Sequence, residues 1–198
     1  MNDSIILLGV STTPLELVSF ILAVITVLLN IRQNHWAWLF SIVSSATYGA
    51  VFFDARIYGD AALQGVFIAV SVWGWYQWLH GSARHDALQV TRSSAAGWRY
   101  GLLAWALGFV LLAWFLKTYT GTDVPRIDGF LTAGSLLGQV LLSRKKVENW
   151  IVWIAVDVLY VGLYVYKGLM LTAVLYGVFV IMAAAGWRAW SRQAGQSA

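Results

Sequence analysis

The chain has 198 residues, of which 60% are hydrophobic and 11% charged, with a formal net charge of +4 and no cysteine. A soluble domain carries about 25% charge, so this composition excludes a wholly water-facing surface and points to an outer wall in lipid. The missing cysteines exclude a disulfide framework and a thiolate metal site.

A helix that crosses a bilayer needs about 17–25 mostly apolar residues. Seven runs qualify, near residues 14–31, 35–53, 57–79, 100–119, 127–143, 149–166 and 169–190. They are far longer than the ~10-residue alternating segments of a membrane barrel. The expected fold is an all-α membrane protein with seven transmembrane helices in one integral domain over 1–198. The flank from Met1 to Pro14 has no Lys or Arg and no small-residue cleavage pattern follows it. The first run is therefore read as a permanent helix rather than a cleaved signal. Glu16 opens span one, where a carboxylate suits the helix dipole. Span two carries Ser41, Ser44, Ser45 and Thr47, and span three carries Gln64 and Trp73. The polar stretch from His80 to Gly97, with Ser82, Arg84, His85, Asp86, Arg92, Ser93 and Ser94, is the one candidate linker. Span four runs from about Tyr100 to Tyr119. Span five opens near Asp128 and contains Gln139. The basic run Arg144-Lys145-Lys146 precedes span six, which holds Trp150, Trp153, Asp157 and Tyr160; Tyr176 lies in span seven.

The spans repeat. A shift of 112 residues brings Trp38 onto Trp150, Gly65-Val66-Phe67 onto Gly177-Val178-Phe179 and Gly74-Trp75 onto Gly186-Trp187, and 11 of the 41 positions from Trp38 to Trp78 are identical without a gap. The same shift brings Glu16 onto Asp128 and Arg32 onto Arg144. Spans one to three (14–79) thus match spans five to seven (127–190), and span four (100–119) has no counterpart. Three helices are an odd number, so a second triplet joined directly would be inverted. Span four restores the direction and makes the triplets parallel, a three-plus-one-plus-three design. Such repeats place a functional site where the copies face each other.

Nine basic residues fall on one side: Arg32, Arg84, Arg92, Arg99, Arg144, Lys145, Lys146, Arg188 and Arg192. Four fall on the other: Arg56, Lys117, Arg126 and Lys167. The richer side is expected to be cytoplasmic, which puts the amino terminus outside and the carboxyl terminus inside. These residues sit in short loops, so the positive charge sets topology and meets lipid headgroups rather than nucleic acid.

The architecture resembles the full-length SWEET-like transporters, and the local residues resemble the PnuC family of bacterial vitamin transporters across essentially the whole chain. The stretch Ser143-Arg144-Lys145-Lys146-Val147-Glu148-Asn149-Trp150-Ile151-Val152-Trp153 resembles that family's basic loop and W-x-x-W motif. Gly74-Trp75-Tyr76-Gln77-Trp78 resembles its G-W-Y-x-W end of span three. The resemblance implies facilitated diffusion of an unphosphorylated vitamin across the bacterial inner membrane, followed by trapping through a cytoplasmic kinase. It implies nicotinamide riboside as substrate, with thiamine or riboflavin as the alternative. Nicotinamide riboside carriers resemble W-x-x-W-x-x-x-N; Asp157 here takes the place of that asparagine, a departure that leans toward thiamine.

Trp150, Trp153, Asp157 and Tyr160 follow i, i+3, i+7, i+10 and share a helix face. Two indoles beside a carboxylate suit a flat cationic ring, each ring contact being worth about 0.5–2 kcal/mol. The plain alternative for the tryptophans is an interfacial belt. A buried Asp costs about 2.5–3.5 kcal/mol at a helix centre, so Asp157 is expected to face a polar cavity; its alternative is a neutral helix lock. Gln64 and Gln139 can read amides and hydroxyls, or serve as interhelical glue. Family members tend to keep both. Trp73 and Tyr176 are expected as walls or lids by position. For Ser41, Ser44, Ser45 and Thr47 close helix packing is the preferred reading, with cavity lining as the alternative.

An enzyme in the membrane needs a nucleophile, a metal cluster or an acid–base pair. The chain offers one deep carboxylate, and His35, His80 and His85 lie near span ends without ligand spacing. Neither an enzyme nor a resident cofactor is expected. A small-molecule vitamin, the bilayer and the trapping kinase are the expected partners, and a homo-oligomer is left open.

Overall fold

The computed structural model describes residues 5–7, 10–12, 14–54, 58–81, 88–166, 168 and 170–196. Within them run seven α-helices: α1 (Pro14–Ile31), α2 (Trp36–Asp54), α3 (Tyr58–His80), α4 (Ala95–Tyr119), α5 (Pro125–Ser143), α6 (Asn149–Tyr166) and α7 (Met170–Gln196). Local chemistry sets many of the ends. The Asn34 side chain accepts from the Trp36 amide at 3.0 Å, capping α2. Gly81 follows α3 at φ 71° and Gly168 precedes α7 at φ 73°, a backbone region that a Cβ disfavours.

Two helices outrun their apolar stretches. Helix α4 begins at Ala95 rather than near Tyr100, because Ser94 caps it by accepting from the Gly97 amide at 3.1 Å. Helix α7 continues to Gln196 rather than stopping near 190, since the polar tail after Trp190 keeps helical geometry beyond the apolar run. A short antiparallel hairpin, β1 (Ile5–Leu7) and β2 (Val10–Thr12), precedes α1. Nothing in the hydropathy pattern signals it.

By length and composition alone, α4, α6 and the stretch Thr172–Gln196 of α7 can each cross a membrane. The other helices have 18 to 23 residues, or roughly 27–35 Å at 1.5 Å per residue. Their polar side chains lower the hydropathy, and several of those groups turn inward: Ser71, Ser135, Gln139 and Ser143 are all buried. Helix α4 turns Leu103, Leu107, Leu111 and Trp114 outward, each more than half exposed, as a lipid-facing stripe requires.

Sequential helices pack within each triplet, α2 on α3 and α6 on α7 most extensively. The triplets meet through two seams, α3 on α5 and α1 on α7. A shift of 112 residues turns one seam into the other. Details obey the same shift. Trp38 and Trp78 cross edge-to-face at 5.4 Å and 89°; Trp150 and Trp190 do so at 5.4 Å and 88°. Gly74 lies against the Trp38 indole and Gly186 against that of Trp150, where any Cβ would overlap the ring. Gln33 and Lys145 are the two non-glycine residues with positive φ among those described, at 55° and 48°.

Helix α4 lies along α5 so closely that a Cβ on Gly129 would fall 2.7 Å from the Ala113 amide nitrogen. Small residues permit this approach. Of the candidate linker, residues 82–87 lie outside the described residues. Its later part is docked: Thr91 pairs with Lys146 in a parallel bridge. The Ser93 amide donates to the Glu148 carboxylate at 2.9 Å, and Val90 is buried in the core beside Leu142 and Val147. The stretch is a clasp on the α5–α6 loop as well as a connection.

Candidate substrate cavity

Between the triplets lies a cavity of about 230 Å³. Its first wall is hydroxyl-rich, with Thr26 and Asn30 from α1 and Ser41, Ser44 and Ser45 from α2 beside the single Trp38 indole. Its second wall is large and aromatic: Gln139 from α5, Trp150, Trp153 and Asp157 from α6, and Tyr176 and Phe179 from α7. Helix α4 contributes nothing to it.

The second wall is set by close packing. A Cβ at Gly138 would lie 2.9 Å from Cε2 of Trp153, so α5 can support that ring only with glycine there. Trp150, 2% exposed, is seated on Gly186. Tyr176 is braced by Tyr160 and Tyr164, with ring centroids 4.8 and 5.1 Å away. The Gln139 amide nitrogen donates to the hydroxyl of Ser71 at 3.2 Å and, at the longer distance of 3.4 Å, to that of Ser41. Those two hydroxyls are 3.0 Å apart. This small network ties α5 of one triplet to α2 and α3 of the other. Asp157 is 4% exposed and, among the described residues, is the sole carboxylate in the lining, where no described Lys or Arg is found. The site is thus a flat-walled pocket with one carboxyl group and several amide and hydroxyl groups.

The family model for the nicotinamide mononucleotide transporter matches residues 13–192. The chain belongs to this family. It is a multi-pass membrane transporter and not an enzyme. Among relatives of this nicotinamide mononucleotide transporter family protein is the riboflavin/roseoflavin transporter RibM of Streptomyces davaonensis. The two are 28% identical over 178 residues, covering 88% of this chain and 83% of that protein. The nicotinamide riboside transporter PnuC of Escherichia coli is 23% identical over 211 residues, covering 94% of this chain and 88% of its own length. The crystal structure of the vitamin B3 transporter PnuC shares the fold, with a TM-score of 0.70 at 20% identity over 91% of this chain and 82% of that one.

Five of the eight residues expected at the site, Gln139, Trp150, Trp153, Asp157 and Tyr176, line this family member's cavity together. The other three do not line it. Gln64 packs in the α2–α3 seam opposite Gly49. Trp73 lies under the Arg144 guanidinium, 5.5 Å from its ring centroid. Tyr160, one turn beyond Asp157 on α6, packs instead against the cluster of Leu131, Val152, Val156 and Leu163. It supports Tyr176 from behind. Burial also removes Trp150 from any interfacial belt. The serines depart from their expected packing role, since Ser41, Ser44 and Ser45 line the cavity; the Thr47 hydroxyl returns to the Val43 carbonyl at 2.9 Å. Asn30 and Trp38 line the cavity without having been singled out. An amide inside an apolar run and the repeat mate of Trp150 were the signals for them.

Outside the spans, Arg144 and Lys145 close over tryptophans of α3, with the Lys145 ammonium 4.9 Å from the Trp78 ring. Burial pushes the Lys145 pKa down from its ordinary value.

Proposed function

We propose that the chain carries nicotinamide riboside across the inner membrane by facilitated diffusion, with its amino terminus outside and its carboxyl terminus in the cytoplasm. The observation that carries this reading is the pairing of the Asp157 carboxylate with the Trp153 indole in one cavity between the triplets. A pyridinium ring can lie on the indole while the carboxylate balances its charge. The ribose then meets the hydroxyls and amides of the opposite wall. A wall with a carboxyl group and, among the described residues, no basic one favours an unphosphorylated substrate, because a phosphate would be buried beside Asp157 with no counter-charge. Phosphorylation by a cytoplasmic kinase would then prevent return. The two seams related by a 112-residue shift support parallel triplets in a three-plus-one-plus-three arrangement that rock about the cavity. A single carboxylate in the lining favours facilitated diffusion over proton symport.

Riboflavin is the second reading, favoured by the 28% identity to a riboflavin transporter; thiamine, also a cationic ring, is the third. Uptake of labelled nicotinamide riboside, thiamine and riboflavin into proteoliposomes, measured side by side for the natural chain and Asp157→Asn, separates them. A cationic substrate should be taken up by the natural chain. Asp157→Asn removes the balancing charge and should lower uptake of whichever cationic vitamin the natural chain carries. Riboflavin uptake alone, indifferent to the substitution, would overturn the cationic reading.

A further inference from the structure

The end of the bundle that carries the basic loop is closed by tryptophans, and they are bonded across the triplets rather than within them. The Trp78 indole N–H at the end of α3 donates to the Leu142 carbonyl in the last turn of α5, at 3.2 Å. The Trp190 indole N–H in α7 donates to the Ile31 carbonyl in the last turn of α1, at 3.0 Å. One bond lies on each seam. Trp78 and Trp190 each press edge-to-face on a cavity-lining tryptophan, Trp38 and Trp150, so the four rings form the floor of the cavity. Gln33 and Gln193 add a further bond across the α1–α7 seam, at 2.5 Å.

This floor is closed at a cost. Among the described residues, the buried side-chain atoms without a hydrogen-bond partner are Asn30 Oδ1, Trp38 Nε1, Trp75 Nε1, Asn149 Oδ1, Trp150 Nε1 and Ser191 Oγ. All six belong to the helix ends at the basic-loop side. Each is a buried polar group without a protein partner, and the floor rings Trp38 and Trp150 carry two of them. Hydration of this end would satisfy these groups, whereas the cross-seam bonds oppose opening. A layer poised between those terms has the properties of a gate.

We propose that the bonds Trp78 to Leu142 and Trp190 to Ile31 are paired latches holding the cavity shut on its basic-loop side, and that opening to that side releases both. The proposal rests on the chain being a transporter with its cavity between the triplets, and not on which vitamin it carries. Because α1 and α5 hold the acceptor carbonyls and α3 and α7 the donors, release lets one triplet rotate against the other without unwinding a helix. The docked stretch from Val90 to Ser93, clasped to the α5–α6 loop, would move with the second triplet.

The chain has no cysteine, so a single reporter can be introduced without background. Ala183, 2% exposed and in the cavity lining, is replaced by cysteine. Labelling by an impermeant methanethiosulfonate is followed from each face of oriented vesicles, with no vitamin added. Trp78→Phe and Trp190→Phe keep an aromatic ring and remove the N–H. Each should raise the labelling rate from the basic-loop face about fivefold, and the pair together about twentyfold, while labelling from the opposite face falls or stays level. Trp36→Phe, at an exposed indole, is the control and should change neither. Unchanged labelling in the double variant would overturn the proposal. So would an equal rise from both faces, which marks a loosened fold rather than a gate. Either result leaves the choice of vitamin untouched, because no vitamin enters the measurement.

Discussion

The two triplets share a scaffold and differ in the walls they give the cavity. Positions that set packing repeat: Trp38 with Trp150, Gly74 with Gly186, and the left-handed residues Gln33 and Lys145. Positions that face the cavity diverge: Ser41 corresponds to Trp153 and Ser45 to Asp157 under the 112-residue shift. The substrate proposed here, a ring with a sugar arm, has no twofold axis, so a symmetric pocket could not match both of its ends. The scaffold holds the symmetry that a rocking motion needs, and the walls break it where a substrate must be read.

Each substitution below tests that division by treating a residue and its repeat mate alike. The largest expected effect is on transport by Asp157→Ala, which should reduce uptake into proteoliposomes by about 100-fold, the loss of roughly 2.7 kcal/mol. Ser45→Ala, its mate, should change uptake less than about threefold, since it removes a single neutral hydroxyl. Equal effects at the two positions would mean that the walls are not specialised. Monodisperse elution of both variants in detergent checks that insertion and folding survive.

On stability the symmetry should reappear. Gly74→Ala and Gly186→Ala each push a methyl group into a buried indole and should cost about 1–3 kcal/mol, read as a lowered melting temperature in detergent. Gly162→Ala, with open space around its Cα, should not destabilise the chain. If only one of the first pair destabilised, the common scaffold would be a resemblance of sequence and not of load. Trp153→Ala comes next. It should weaken binding of labelled nicotinamide riboside about 2- to 30-fold by loss of the ring contact, whereas Ser41→Ala should weaken it less, by loosening the Gln139 network. The smallest structural perturbation tests direction. Cysteines at Gln33 and Lys145 should label from the same face of the membrane, and one at Thr122 from the other. Labelling of Gln33 and Lys145 from opposite faces would make the triplets inverted instead of parallel.

The sequence by itself determined the helices and their pairing. Apolar run length is a local property, and the six ends of α1, α2 and α6 fell within one residue of the observed ones. The matched tryptophans and glycines announced the repeat because close packing of an indole on a helix leaves little choice but glycine beneath it. The polar tail of α7 and the cap of α4 escaped, since helix continues there without the hydropathy that a membrane imposes. For the cavity, two strongly anomalous residues were legible, the carboxylate Asp157 and the amide Gln139 within apolar helices, whereas the amide Gln64 packs opposite Gly49. Which side of a helix edge faces that cavity was not legible. Spacing put Tyr160 on the face of Trp153 and Asp157 while Tyr176 had only its position, and only the packing of α5 and α7 against α6 put Tyr176 in the wall and Tyr160 behind it. The tertiary structure likewise decided that Trp73 serves the basic loop, that three serines of α2 line the cavity, and that Trp78 and Trp190 bond across the seams. Helical periodicity tells which residues share a face; it does not tell which neighbour that face meets, because the neighbour comes from a distant part of the chain, 64 residues away for Trp78 and 159 for Trp190.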